Sequence, residues 1–404
     1  MVGTLAQSKH ILSPVDHKLA QVYINLCLYF RSTRPGESVP TLQLGVDELV
    51  KLLPWICGKV VQCEDKHSAK HRGLQCIQQS TTPGAIPMIQ FATDRSLSLE
   101  GIAGARPRTG VEELRLMSKL PPLPPFLGPS DPIYVVRFKA TVVSDGVILA
   151  MSFCHTVFDV TGAAHILQHL AECCQSSKPK QCVCLDDKAL RQDMWTMGFA
   201  GVSAGYSNND KLTPLFSRGT ESLEGDMEVL ARKNMLCRWK IPGHKVSRLK
   251  RACNALLATR LSDGSDSPIK FLSSFDVLTG ILTRVLHPDP GVKEGVSDIG
   301  IAVNLRDRMT PSWPSSYMGN LVRCVPIMHP SPPLEDSLVT AAHLVAADNG
   351  LDIPAVDLGS VYRNACCVRQ ALSMISVKWK TLSPQQLSPV GDTSTSTTLT
   401  LDHS

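Results

Sequence analysis

Two residues four positions apart, His155 and Asp159 in Phe153-Cys154-His155-Thr156-Val157-Phe158-Asp159, are the best placed in this chain to do chemistry. They follow a run of strand-forming residues, Val142 to Phe153, and precede an amphipathic segment, Gly162 to Cys174. A histidine at a strand end, exposed at a cleft, can take a proton from an attacking hydroxyl. Imidazole, with an ordinary pKa of about 6.5, is largely neutral at physiological pH. A positioned general base contributes roughly 10² to 10⁴ in rate. These properties suit acyl transfer from a thioester to an alcohol or amine, in which the acceptor loses its proton as it attacks and the leaving thiolate gains one. Asp159 has two open roles. It could hold the His155 ring in one tautomer, as in a triad, or it could turn away and pair with a cation. Arg306 and Arg308, in Asn304-Leu305-Arg306-Asp307-Arg308, are the candidate cations. The plain alternative is a core histidine and a helix-capping aspartate with no catalysis. The strand–loop–helix context favours the catalytic reading.

Other reactive residues carry less. The chain has 14 cysteines. Cys182 and Cys184 form one CxC, Cys173-Cys174 and Cys366-Cys367 are adjacent, and no second CxxC sits at zinc-ribbon distance. Reduced, mostly buried thiols are expected. His165 and His169 are one helical turn apart with Glu172 nearby, but a further convincing ligand is lacking, so no metal is expected. Asp276 reads as a helix-start aspartate facing the dipole rather than a catalytic acid. Arg232 to Arg260 holds nine Lys or Arg and no acid. Such a patch could bind the phosphates of coenzyme A, but an ordinary solvated helix face is the favoured reading.

The elements that must position these residues follow from periodicity. Val22 to Phe30 alternates as a strand, and Leu42 to Leu53 has helical spacing that ends at Pro54. Tyr134 to Ala140 and Val142 to Phe153 read as strands joined near Ser144-Asp145-Gly146. Met197 to Asp226 is Gly-, Ser- and Asn-rich and reads as a crossover linker. Beyond it come a short strand at Cys237 to Ile241, helices at Lys245 to Arg260 and Ser273 to Leu286, and strands at Ile299 to Asn304 and Leu321 to Met328. Strands and helices mix without a strict βαβ rhythm, which predicts two α/β domains with mixed sheets. The 404 residues and 43% hydrophobic content allow two such cores. A net charge of +5 is too mild to imply nucleic acid. No apolar run reaches the ~18 residues of a membrane span, and Met1 to His10 does not read as a signal peptide. A cytoplasmic protein is expected.

The chain resembles the BAHD acyltransferases, in particular fungal relatives such as the trichothecene O-acetyltransferases. HxxxD is one of several matches in family order. Leu12-Ser13-Pro14-Val15-Asp16 resembles LSPxD. Leu42 to Val61, with Leu53-Pro54-Trp55 and Cys57-Gly58-Lys59-Val60, resembles LxxxLxxfPxlaGRv. Phe271 to Thr279 resembles vStfDaLtA, and Val303 to Arg308 followed by Tyr317-Met318-Gly319-Asn320 resembles vnxRxR…yxGN. The resemblance implies two domains related to chloramphenicol acetyltransferase, with a channel between them that reaches the histidine from both ends. It makes His155 the general base and Asp159 structural, with Arg306 as its salt-bridge partner. It implies no bound cofactor and acyl-CoA, in particular acetyl-CoA, as co-substrate. The other partner would be a small hydroxylated acceptor, a secondary metabolite, and the enzyme a monomer. No nucleic-acid or membrane partner is implied. The expected division is residues 1–195, a linker at 196–228, and 229–404.

Three departures qualify the match. Cys154-His155 stands where the family often has two histidines, which also disfavours a peptide-synthetase condensation domain with HHxxxDG. Val160 stands where a glycine follows the aspartate, with Gly162 two residues on. The family's DFGWG motif is absent. Asp357-Leu358-Gly359 is a poor and early match, and Ser394 to Asp402 looks like the strand that precedes the motif. The second domain is therefore expected to be cut short. The alternative function is a protein that binds substrates without turnover.

Overall fold

The computed structural model describes residues 10–19, 21–63, 74–79, 86–103, 108–124, 131–175, 187–196, 235–236, 241–262, 268–286, 300–310, 312–327, 334–375 and 377–378. The first half is organised around a four-stranded sheet. Its strands are β1 (Tyr23–Arg31), β2 (Ile89–Thr93), β3 (Val136–Val143) and β4 (Gly146–Cys154), in the order β1-β4-β3-β2. The β2–β3 pair is parallel; the other two pairs are antiparallel. Every residue of β4 is buried, as expected of a near-continuous apolar run at a sheet centre. The β3–β4 turn falls at Ser144-Asp145, so Val142 and Val143 finish β3 rather than open β4. Asp145 fixes the turn by accepting from the Leu99 amide at 2.7 Å.

Helices α1 (Ser38–Leu52) and α2 (Val160–Gln175) pack together in the core built on this sheet. Val46 and Leu49 of α1 and Ile166 and Leu170 of α2 meet Phe138, Met151 and Phe153 there. Burying each such side chain is worth about 1.5–3 kcal/mol. Helix α1 starts four residues before the expected Leu42, because Pro40 lies in the first turn, where a missing N–H costs nothing. A second four-stranded sheet joins His10–Ile11, Gln75–Gln78, Lys59–Gln62 and Ile133–Tyr134.

Helix α3 (Asp187–Thr196) runs one residue into the expected linker, whose remainder, 197–228, lies outside the described residues. The second half holds helices α4 (Gly243–Ser262), α5 (Ser274–Leu286), α6 (Asp336–Asp348) and α7 (Ala355–Ser373), which share one core through Leu256, Val277, Ala342 and Val361. Strands β5 (Gly300–Asn304) and β6 (Val322–Pro326) pair antiparallel. Met235–Leu236 pairs with Arg108–Thr109; the strand expected at Cys237 to Ile241 is, apart from its last residue, outside the described residues. So are Cys182, Cys184 and everything beyond Lys378. Asp357-Leu358-Gly359 lies inside α7, so it is a helical segment and not a channel loop. Among the described residues no helix is long and apolar enough to cross a membrane, and no group of three metal-binding side chains forms.

Candidate active site

His155 stands at the end of β4, half-buried, with its N–H bonded to the Val22 carbonyl at 2.9 Å. Its ring Nδ1 lies 3.2 Å from the carbonyl oxygen of Phe158. A carbonyl oxygen only accepts, so this contact requires the proton on Nδ1 and leaves the Nε2 lone pair available. Cys154 beside it is fully buried, and burial pushes its thiol up, against the opposing contact with Thr156. A thiol held protonated is a poor nucleophile.

Asp159 caps α2 and faces away from the imidazole. Its Oδ1 accepts from the Gly162 amide at 2.8 Å and from Arg306 Nη2 at 3.1 Å. Its Oδ2 accepts from Arg306 Nη1 at 2.8 Å and from the Leu321 amide at 3.0 Å. Both partners are buried, and the pair is bidentate, the strongest geometry for these groups. Arg306 spends its other hydrogen bonds on the carbonyls of Tyr317 and Gly319 and on Asn304 Oδ1. Of the two open roles, the geometry therefore places Asp159 on the cation. It ties the first turn of α2 to the turn between β5 and β6. Gly162 permits that approach: a Cβ there would fall 1.8 Å from the Met318 carbonyl oxygen. Arg308, the other candidate cation, donates instead to the Leu372 carbonyl at 2.6 Å.

A second buried cluster touches the same loop. Asp16 and Ser13 exchange bonds across a short turn, Ser13 N to Oδ2 at 2.7 Å and Asp16 N to Oγ at 3.3 Å. Asp16 Oδ2 also meets Arg191, whose Nε donates to Asp187 Oδ2 at 2.7 Å and whose Nη2 donates to the Val157 carbonyl at 2.9 Å. Asp16 Oδ1 accepts from the backbone N–H and Nδ2 of Asn320 at 3.0 and 2.8 Å, and Nδ2 also reaches the His155 carbonyl at 2.9 Å. Asp187 Oδ1 accepts from the Met318 amide at 3.1 Å. His10 Nε2 lies 3.4 Å from Asp187 Oδ2 but makes no hydrogen bond among the described residues. Burial alone would raise the Asp187 carboxyl; the Arg191 charge and His10 outweigh it and hold it far below the usual range. Burial likewise opposes the Arg191 charge, and Asp16 and Asp187 together hold it raised. Sequence reasoning reached Asp16 and Asn320 only inside quoted motifs, and it missed Arg191, Asp187 and His10. An Asp–Arg pair at i,i+4 on a helix usually lies on the surface, and only tertiary burial distinguishes this one.

The remaining candidates fall elsewhere. His165 Nε2 contacts the Ser315 carbonyl and His169 contacts Glu172, so the two histidines do not converge. Asp276 forms a capping pair with Ser273 at the start of α5 and also binds Arg369. Within the basic helix α4, Arg248 caps the end of α6 through the carbonyls of Asn349 and Gly350, and Arg260 pairs with Glu335.

The model of the Transferase family matches residues 117–342, and that of the trichothecene 3-O-acetyltransferase-like N-terminal domain matches 22–174. The chain belongs to the Transferase family, the BAHD-type acyltransferases. Among curated members of similar sequence is the O-acetyltransferase andG of Emericella variicolor, 42% identical over 93% of this chain and 78% of its own length. The fumigaclavine B O-acetyltransferase easN of Aspergillus fumigatus is 32% identical, with 90% and 75% covered. The F. sporotrichioides TRI101 crystal structure, complexed with coenzyme A and T-2, matches with a TM-score of 0.50 at 18% identity, over 89% of this chain and 75% of that one. That likeness carries the fold: a two-domain BAHD architecture of mixed α/β sheets. As a family member the protein is an acyl-CoA-dependent acyltransferase.

Proposed function

We propose that the protein transfers an acetyl group from acetyl-CoA to a hydroxyl of a fungal secondary metabolite, with His155 as general base. Nε2 takes the acceptor's proton as its oxygen attacks the thioester carbonyl. The imidazolium then returns that proton to the leaving thiolate of coenzyme A. No covalent enzyme intermediate forms. The observation that carries this reading is the Nδ1 contact to Phe158, which supports an Nε2 free to accept. The relatives' names support acetyl as the acyl group, and the TRI101 complex supports coenzyme A as its carrier. Asp159 and Arg306 are structural supports of the loop. The two domains divide near 195 and 229, the acceptor is a small hydroxylated molecule, and the enzyme works as a monomer in the cytoplasm.

The test is His155→Ala, assayed by thiol release from acetyl-CoA with a panel of hydroxylated acceptors. Loss of roughly 10² to 10⁴ in rate with an unchanged melting temperature is expected. Full activity in that variant would sink the reading. A folded wild type with no thiol release across the panel would favour binding without turnover.

A further inference from the structure

The amide of Asn320 is fully buried and oriented with no alternative. Its Nδ2 bridges two groups that can only accept, the Asp16 carboxylate and the His155 main-chain carbonyl. Flipping the amide would set oxygen against both. The chosen orientation leaves Oδ1 with no hydrogen-bond partner among the described residues, a buried loss of about 1–3 kcal/mol. A side chain placed for packing alone would not accept that loss to keep one donor on a carbonyl. Asp16 is in turn fixed by Arg191 and by the Ser13 amide, and Arg191 holds the Val157 carbonyl two residues beyond His155. The loop following His155 is thus gripped at two carbonyls, that of His155 by Asn320 and that of Val157 by Arg191, both donors oriented by Asp16.

We infer that Asn320, aligned by Asp16, is a positioning residue for the imidazole of His155. The ring is locked through Nδ1 to the Phe158 carbonyl, three residues along the same loop. That contact holds only while the His155 carbonyl and the loop behind it keep their directions. Releasing the carbonyl lets the loop rotate, frees Nδ1 and mixes the two neutral tautomers. The inference rests on His155 being the general base for its consequence in rate, but not for its consequence in ring geometry.

Nitrogen NMR of the imidazoles reads the tautomer without turnover, with His155→Ala assigning the signal. In the wild type the neutral ring should carry its proton on Nδ1. In Asn320→Ala the signals should move toward an average of both tautomers. Thiol release should fall on the order of 10- to 100-fold in kcat, with KM for acetyl-CoA unchanged. A second variant separates positioning from folding: Asn320→Leu fills a similar volume, leaves the Asp16–Arg191 pair intact and offers the His155 carbonyl no donor. It should fold, remain slow and keep the mixed tautomer. A single Nδ1–H tautomer and wild-type kcat in either variant, or failure of both to fold, would overturn the inference. Retained activity in His155→Ala would remove the general-base reading alone, leaving the tautomer result to stand or fall independently.

Discussion

The His155 loop is held between two buried ionic clusters built on different plans. Asp159 and Arg306 form one bidentate pair in which both carboxylate oxygens and the guanidinium have complete sets of partners. The other cluster hangs two carboxylates, Asp16 and Asp187, on the single guanidinium of Arg191 and adds a histidine whose Nε2 makes no hydrogen bond among the described residues. The first is a rivet between two points, α2 and the β5–β6 turn. The second joins four: the 13–16 turn, the His155 loop, α3 and the 318–320 turn. The contrast separates two jobs that a bare HxxxD motif runs together. One cluster fixes where the loop sits, and the other fixes how its backbone points.

The largest expected effect breaks this contrast at its most loaded atom group. Arg191→Met leaves two buried carboxylates without a cation, whereas Arg306→Met leaves one; in both clusters the carboxylates keep backbone N–H donors, so the difference lies in the number of uncompensated charges. Breaking a buried pair costs about 3–5 kcal/mol, so Arg191→Met should lose about 5 kcal/mol or more, enough to unfold many proteins. Denaturant midpoints of the two variants check the order, and equal losses would show that the clusters are equivalent.

Asp159→Asn comes next, at about 3–5 kcal/mol. Its informative readout is the kcat of the fraction that remains folded, which should stay within roughly tenfold of wild type. A triad aspartate changed in this way drops kcat by about 10⁴. A fall of that size at preserved stability would mean that Asp159 turns to the imidazole during the reaction.

How much of each cluster could be read from the sequence follows the same division. His155, Asp159 and Arg306 stand in short contiguous patterns, and the strand and helix around them are announced by local chemistry. The apolar run of β4, the Ser144-Asp145 turn and the Ser273–Asp276 capping pair at the start of α5 all depend on neighbours in sequence. Arg191 and Asp187 carry no such signal. Their pairing has the spacing of a surface helix pair, and only the packing of α3 against residues 12–16 and 317–320, more than a hundred residues away on either side, puts it in the core. The start of α1 is a smaller instance: periodicity places it at Leu42, but the helix begins at Ser38, with Pro40 harmless in its first turn.

The smallest expected effect is one of pH, and it belongs to the second cluster alone. Burial lowers the His10 pKa below its ordinary 6.5, and the nearby Asp187 carboxylate only partly restores it. The folded protein therefore holds His10 neutral at pH values where the unfolded chain has begun to take up a proton. Stability is full above about 6.5 and is lost as the pH falls through the lowered folded value. Asp187, held low by Arg191 and His10 against its burial, adds a second loss that begins only below the ordinary aspartate range, near pH 4. His10→Gln keeps a polar side chain near Asp187 and removes the first titration. Denaturant midpoints measured from pH 8 to pH 5 should decline for the wild type and stay flatter for His10→Gln. Parallel curves would place the acid-sensitive group elsewhere and leave the two clusters alike in their response to protons.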